Sequence, residues 1–174
     1  MIMIFSGNGK GKTTAAFGII LRALANYKTV FLVQFYKTGD SSEVHFLRRL
    51  INKKLAKLIK IKTFGTKEFI NPKRLKIKDY NITKNAIKYI YKSIELNPFL
   101  LVLDEILIAL KFKLITQEEI LKIISLCKEC KINLILTGRG ATKKLINYSD
   151  LTTNMRKIKH PFDKGIKSVK GIDY

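Results

Sequence analysis

The chemistry is most legible in ten residues, Phe5-Ser6-Gly7-Asn8-Gly9-Lys10-Gly11-Lys12-Thr13-Thr14. Alternate glycines let backbone N–H groups turn inward toward phosphate oxygens, and the helical pattern that starts at Thr13 offers its positive end to the same anion. Lys12 would reach the outer phosphates of a nucleotide, and the Thr13 hydroxyl would ligate Mg²⁺. Gly7, Asn8, Gly9, Lys10, Gly11, Lys12, Thr13 and Thr14 are therefore candidate nucleotide-binding residues. The pattern G-x-x-x-x-G-K-[ST] fails at one place, because Ser6 stands where its first glycine belongs. The Gly7-Asn8-Gly9 turn supplies the flexibility one position later.

A second signal is Phe99-Leu100-Leu101-Val102-Leu103-Asp104-Glu105, an apolar run ending in two carboxylates. A buried parallel strand reads this way, and it would deliver the acids where phosphates sit. Mg²⁺ is a hard cation that takes oxygen ligands, so Asp104 or Glu105 joins Thr13 as a candidate metal ligand, directly or through water. A third strand end, Gly138-Arg139-Gly140 after the apolar run Ile132–Thr137, would bring Arg139 to the same edge.

The elements that position these groups alternate. A helix is predicted from Thr13 to about Asn26 and a buried strand over Thr29–Phe35, whose polar end continues through Tyr36, Lys37, Thr38, Gly39 and Asp40. A helix over Ser42 to about Asn52 and a short strand over Leu58–Phe64 follow. The stretch from Gly65 to Asp79 is irregular, polar and too long for a mere connector. Helices are then expected over Asn81–Glu95 and from a capping box at Thr116 and Glu119 to about Lys131, with a short one over Ala141–Tyr148 and a last strand over Leu151–Lys159. Strands alternating with helices imply an α/β fold with a mostly parallel sheet between two helical layers, of the P-loop NTPase-like (RecA-like) kind.

At 174 residues the chain is one domain, spanning 1–174, with a core of its own. No run approaches the roughly 20 apolar residues of a membrane span, and no secretory signal is present, so a cytoplasmic protein is expected. Lys and Arg outnumber Asp and Glu by 34 to 13, a formal charge of +21 that favours polyanionic partners. The lysines are scattered, however, and do not single out nucleic acid. Cys127 and Cys130 fall inside a predicted helix, where packing is the better reading than a redox or zinc pair.

GNGKGKTTAAFG, VQFYKTG, LVLDEI, LTGRGA and the closing KHPFDKGIKSVKGIDY, in this order and at this spacing, resemble the P-loop type of ATP:corrinoid adenosyltransferase. The resemblance covers most of the chain. It implies attack by the cobalt(I) of a corrinoid on C5′ of ATP, with release of triphosphate. The reduced cobalt is itself the nucleophile, so the chain need supply only position and charge compensation. Lys12 and Arg139 are then the candidate catalytic residues, with Lys10, the loop amides and Mg²⁺ beside them. The family also implies a homodimer and, as the source of cobalt(I), a flavoprotein reductase. Its members usually carry an N-terminal extension and a phenylalanine–tryptophan segment after the third strand that lies under the corrin. Here the corresponding region holds Phe64 and Phe69, and the sequence has no tryptophan. The alternative is a P-loop ATPase or kinase, in one version stimulated by nucleic acid, that acts on the γ-phosphate.

Overall fold

The computed structural model describes residues 1–50, 57–66, 68 and 70–172, and for Leu50 and Phe162 only the backbone. Six strands form one sheet in the order β3-β2-β4-β5-β1-β6, with every pairing parallel. They are β1 (Ile2–Ser6), β2 (Val30–Phe35), β3 (Ile59–Phe64), β4 (Leu100–Asp104), β5 (Asn133–Thr137) and β6 (Leu151–Asn154). Between them run α1 (Lys12–Ala25), α2 (Ser42–Leu50), α3 (Ile77–Glu95), α4 (Ile106–Lys111), α5 (Gln117–Glu129) and α6 (Lys143–Tyr148).

The central strands are apolar on both faces because both are covered. Residues two apart share a face, so Met3 and Phe5 pack with Val30, Leu32, Val102 and the α1 residues Ala16, Phe17 and Ile20. Ile2 and Ile4 pack on the other side with Phe31, Val33, Leu103, Ile90 of α3 and Ile124 of α5. The expected three-layer α/β architecture is thus present. Strand β5 lies between β1, which ends in the glycine loop, and β4, which ends in the acidic pair. All three deliver their carboxyl ends to one edge.

Three expectations need correction. Helix α3 begins at Ile77 rather than Asn81, because the Asp79 carboxylate accepts the Lys76 N–H at 2.8 Å and caps a helix that starts earlier. The expected helix list omits α4. Leu107 and Ala109 are fully buried in it, yet six residues are too few to show a helical period. The last strand stops at Asn154 rather than Lys159, since its partner β1 has by then turned into the glycine loop. At α5 the Thr116 hydroxyl accepts the Glu119 N–H at 3.1 Å, as the capping sequence predicts. Cys127 is fully buried, and burial pushes its thiol up to about 12, while Cys130 is exposed at the helix end. For Cys127 this is packing, not redox chemistry.

Candidate functional site

Strand β1 ends at Ser6, and the two left-handed turns that the loop requires fall at Gly7 (φ 108°) and Gly11 (φ 112°). No such turn is needed at Ser6. Its hydroxyl instead accepts the Ala141 N–H at 3.3 Å and ties the loop to the segment after β5, which accounts for the departure from the usual glycine pattern. Gly7 and Gly9 are pressed against the chain leaving β6. A Cβ on Gly7 would lie 2.4 Å from the Met155 carbonyl oxygen, and one on Gly9 would lie 2.7 Å from it. Met155 donates to the Ser6 carbonyl at 2.7 Å, and the Gly9 N–H donates to the Met155 carbonyl at 2.6 Å. The Gly9 amide is therefore committed to the protein and is not one of the free amides expected to meet phosphate.

A cavity of about 490 Å³ opens beside the loop, within the range of about 300 to 1,000 Å³ typical of small-molecule sites. Asn8 to Thr14, Lys37, Glu105 and Arg139 line it, and His160, Pro161, Ile166 and Lys167 of the C-terminal segment form its opposite wall. That segment is held by Lys10, whose ammonium donates to the Ile172 carbonyl at 2.6 Å. Lys12 lies at the cavity but is folded back over its own loop, only 7% exposed, donating to the carbonyls of Gly7 (2.9 Å) and Gly9 (2.6 Å). Burial lowers its pKa, the Glu105 charge opposes that shift, and the charge of Arg139 adds to it. A bound polyanion would replace two carbonyl dipoles by full negative charge around this ammonium.

Asp104, like Gln34 and Thr137 beside it, has no exposed surface. Its Oδ1 accepts the hydroxyls of Thr13 (3.0 Å) and Thr137 (2.6 Å), and its Oδ2 accepts Gln34 Nε2 (3.0 Å) and Lys37 Nζ (2.7 Å). Burial works to raise its pKa, but the Lys37 charge and these hydrogen bonds prevail and hold it below the usual carboxylate range. Glu105 goes the other way. Burial, then the Asp104 charge, pushes it up. Its backbone is left-handed (φ 66°) at the start of α4, and its N–H donates to the Thr137 hydroxyl at 2.9 Å. Two adjacent carboxyls are thus set apart, one locked into β4 and one facing the cavity.

The expected residues Gly7 to Thr14, Asp104, Glu105 and Arg139 do converge on one edge. Phe64 does not line the cavity; it ends β3 and packs on Tyr89 with ring centroids 5.8 Å apart. Phe69 lies outside the described residues. Gln34, Lys37 and Thr137 fall in the segments VQFYKTG and LTGRGA at the expected edge, but their bonds to Asp104, and the Met155 contact, escape a reading by motif. Their one available signal is that polar residues follow the apolar runs of β2 and β5.

The oxygen donors fit Mg²⁺. The Thr13 proton is committed to Asp104, which leaves the hydroxyl lone pairs for a cation, and one is already beside them: Lys37 Nζ, 3.3 Å from Thr13 Oγ1 and 2.7 Å from Asp104. Among the described residues no three His, Cys, Asp or Glu cluster as a self-contained metal cage. Mg²⁺ bound through one or two protein oxygens and the phosphates of a nucleotide needs none.

Among solved structures the fold resembles a KaiC-like protein from Pyrococcus horikoshii OT3, with a TM-score of 0.56 over 88% of this chain and 71% of that one, at 21% identity. Corrinoid adenosyltransferase from Sinorhizobium sp. is 34% identical across the whole chain, which covers 80% of its length. Corrinoid adenosyltransferase CobA from Salmonella typhimurium strain LT2 is 32% identical, again across the whole chain and 85% of its own. The model of the family ATP:corrinoid adenosyltransferase BtuR/CobO/CobP matches residues 1–174. The chain, with its phosphate loop and acidic strand end on one edge, belongs to the ATP:corrinoid adenosyltransferase family.

Proposed function

We propose that the site performs the family's transfer of the adenosyl group of ATP to corrinoid cobalt by gripping the triphosphate, so that it leaves whole from C5′. The bond from C5′ to the α-phosphate oxygen breaks as the cobalt–carbon bond forms; both electrons of the new bond come from cobalt(I), and triphosphate takes the electron pair of the old one. Lys12, Arg139, Lys10 and the loop amides other than that of Gly9 compensate the charge of the departing group. Mg²⁺ would be held by Thr13 with Glu105, or with Asp104 through water, and would neutralise phosphate charge. The corrinoid lies toward the carboxyl end of β3, where Phe64 stands. A dimer in the cytoplasm, served by a flavoprotein reductase, completes the reading.

The observation that carries it is the convergence of Lys12, Thr13, Glu105 and Arg139 on a single cavity, with the buried Asp104 accepting the Thr13 hydroxyl behind it. ATP added to the protein with chemically reduced cobalamin should give a light-sensitive adenosylcobalamin spectrum with Mg²⁺, and at least about 100-fold less product with EDTA. Equal yield in EDTA would remove the metal from this reading, and no adenosyl product would remove the reading itself.

A further inference from the structure

Lys37 lines the cavity but belongs to neither the phosphate loop nor the acidic strand end. Its position is set with care: Tyr36 takes a left-handed turn (φ 57°), its N–H donates to the Phe64 carbonyl at 2.6 Å, and its phenol meets Thr83 at 3.0 Å. Gly65 then passes so close that a Cβ on it would lie 2.4 Å from the Lys37 nitrogen. The result is an ammonium 30% exposed, on one side touching a carboxylate with no exposed surface and the Thr13 hydroxyl, and on the other facing the cavity.

A wholly buried carboxylate needs a positive partner in every state of the protein. Lys37 here contacts Thr13 Oγ1 and Asp104 Oδ2, and Thr13, with Asp104 through water, is among the groups proposed above to hold a divalent cation. Two cations cannot crowd onto this pair of residues without strong mutual repulsion. We propose that Lys37 is a built-in stand-in for the divalent cation: it neutralises Asp104 while the nucleotide site is empty and yields its place when the metal arrives with its nucleotide. Metal binding is thereby coupled to nucleotide binding, because only the metal–nucleotide complex brings phosphates to receive the displaced ammonium. This rests on the Mg²⁺ reading of the preceding section.

The test uses Mn²⁺ as the probe on nucleotide-free protein, with thermal unfolding and Mn²⁺ electron paramagnetic resonance as readouts. Wild type should hold Mn²⁺ weakly and melt at the same temperature with Mn²⁺ or EDTA. Lys37→Met should melt lower than wild type in EDTA, recover when Mn²⁺ is added, and bind Mn²⁺ at least about tenfold more tightly, since the competing charge is gone. Lys37→Gln, which keeps a donor to Asp104 without the charge, should show the same gain in affinity from a more stable start. If neither variant folds in EDTA, soluble yield on refolding with Mn²⁺ reads the same response. Variants that lose stability without any Mn²⁺ recovery or tighter binding would make Lys37 a structural ion pair and overturn the proposal. Wild-type ATP affinity that is equal in Mg²⁺ and EDTA would instead sink the underlying metal reading, so the two failures are told apart.

Discussion

At the β1 end of the carboxyl edge the chain meets itself backbone to backbone: Gly7 and Gly9 lie against Met155, Ser6 is tied to Ala141, and Lys12 is bonded to two loop carbonyls. At the β3 end backbone contacts of Phe64 and Gly65 with Tyr36 and Lys37 are joined by rings, with Phe64 on Tyr89 and Phe35 edge-on to Tyr36 at 5.9 Å, resting on α3. Backbone groups and fixed charges suit a triphosphate, whose shape and charge are constant, and need no rearrangement at the moment of transfer. A half-buried ring such as Phe64 suits a large, flat, mostly apolar partner, and it tolerates substitution better because side chains repack more readily than backbone.

If this division holds, removing Lys12 is the most severe single change. Lys12→Ala should reduce adenosyl transfer by about 100-fold or more with an unchanged far-ultraviolet circular dichroism spectrum. A variant that keeps most of its activity would show that the loop grips phosphate without its lysine.

A pair of glycine variants compares the two ends through stability. Gly7→Ala suffers both a left-handed φ and a contact at 2.4 Å with the Met155 carbonyl, so a loss of about 2 to 4 kcal/mol is expected in denaturant unfolding. Gly65→Ala meets the Tyr36–Lys37 backbone without the strained φ and should lose about 1 to 3 kcal/mol. Only Gly65→Ala should also alter Mn²⁺ binding, through Lys37. The reverse order of stability would mean that the β3 end is the stiffer.

The neighbouring carboxyls give a pH signature. Because Asp104 is held low in the fold, its contribution is present above the unfolded value near about 3.9 and is lost as pH falls through the folded pKa. Because Glu105 is held high, its charge opposes folding at neutral pH, and that penalty is absent below the unfolded value of about 4.3. Glu105→Gln should therefore melt higher than wild type at pH 7 and equal to it near pH 4, whereas Asp104→Asn should melt lower at pH 7. A melting temperature for Glu105→Gln below that of wild type at pH 7 would contradict this.

The mildest change is Phe64→Ala. It should raise KM for the corrinoid by about threefold to tenfold, the weight of an aromatic contact of roughly 0.5 to 1.5 kcal/mol, and leave KM for ATP alone. A shift in both would make Phe64 an anchor for β3 instead.

The same contrast explains what the chain discloses before folding. A glycine loop on a strand-to-helix turn and an apolar run ending in Asp104-Glu105 are local patterns whose chemistry is written in adjacent residues, so the phosphate end and the three-layer fold were legible. The contacts that complete the site are between residues far apart in sequence. Lys37 reaches Asp104 across 67 positions, and no spacing rule connects them. Met155 lies against Gly9 because β6 pairs with β1, a matter of sheet order rather than of local pattern. Helix α4 and the early start of α3 were missed for local reasons, too few turns in one and a cap supplied by Asp79 in the other.

Under the proposed mechanism the triphosphate departs as one piece from the loop that holds it. The direct measurement is the identity of the phosphorus product when ATP labelled in its γ-phosphate reacts with reduced corrinoid on the protein. Label recovered in inorganic triphosphate, in a one-to-one ratio with adenosylcorrinoid, is the predicted result. Label recovered in orthophosphate during the first turnover, with ADP as the nucleotide product, would contradict it.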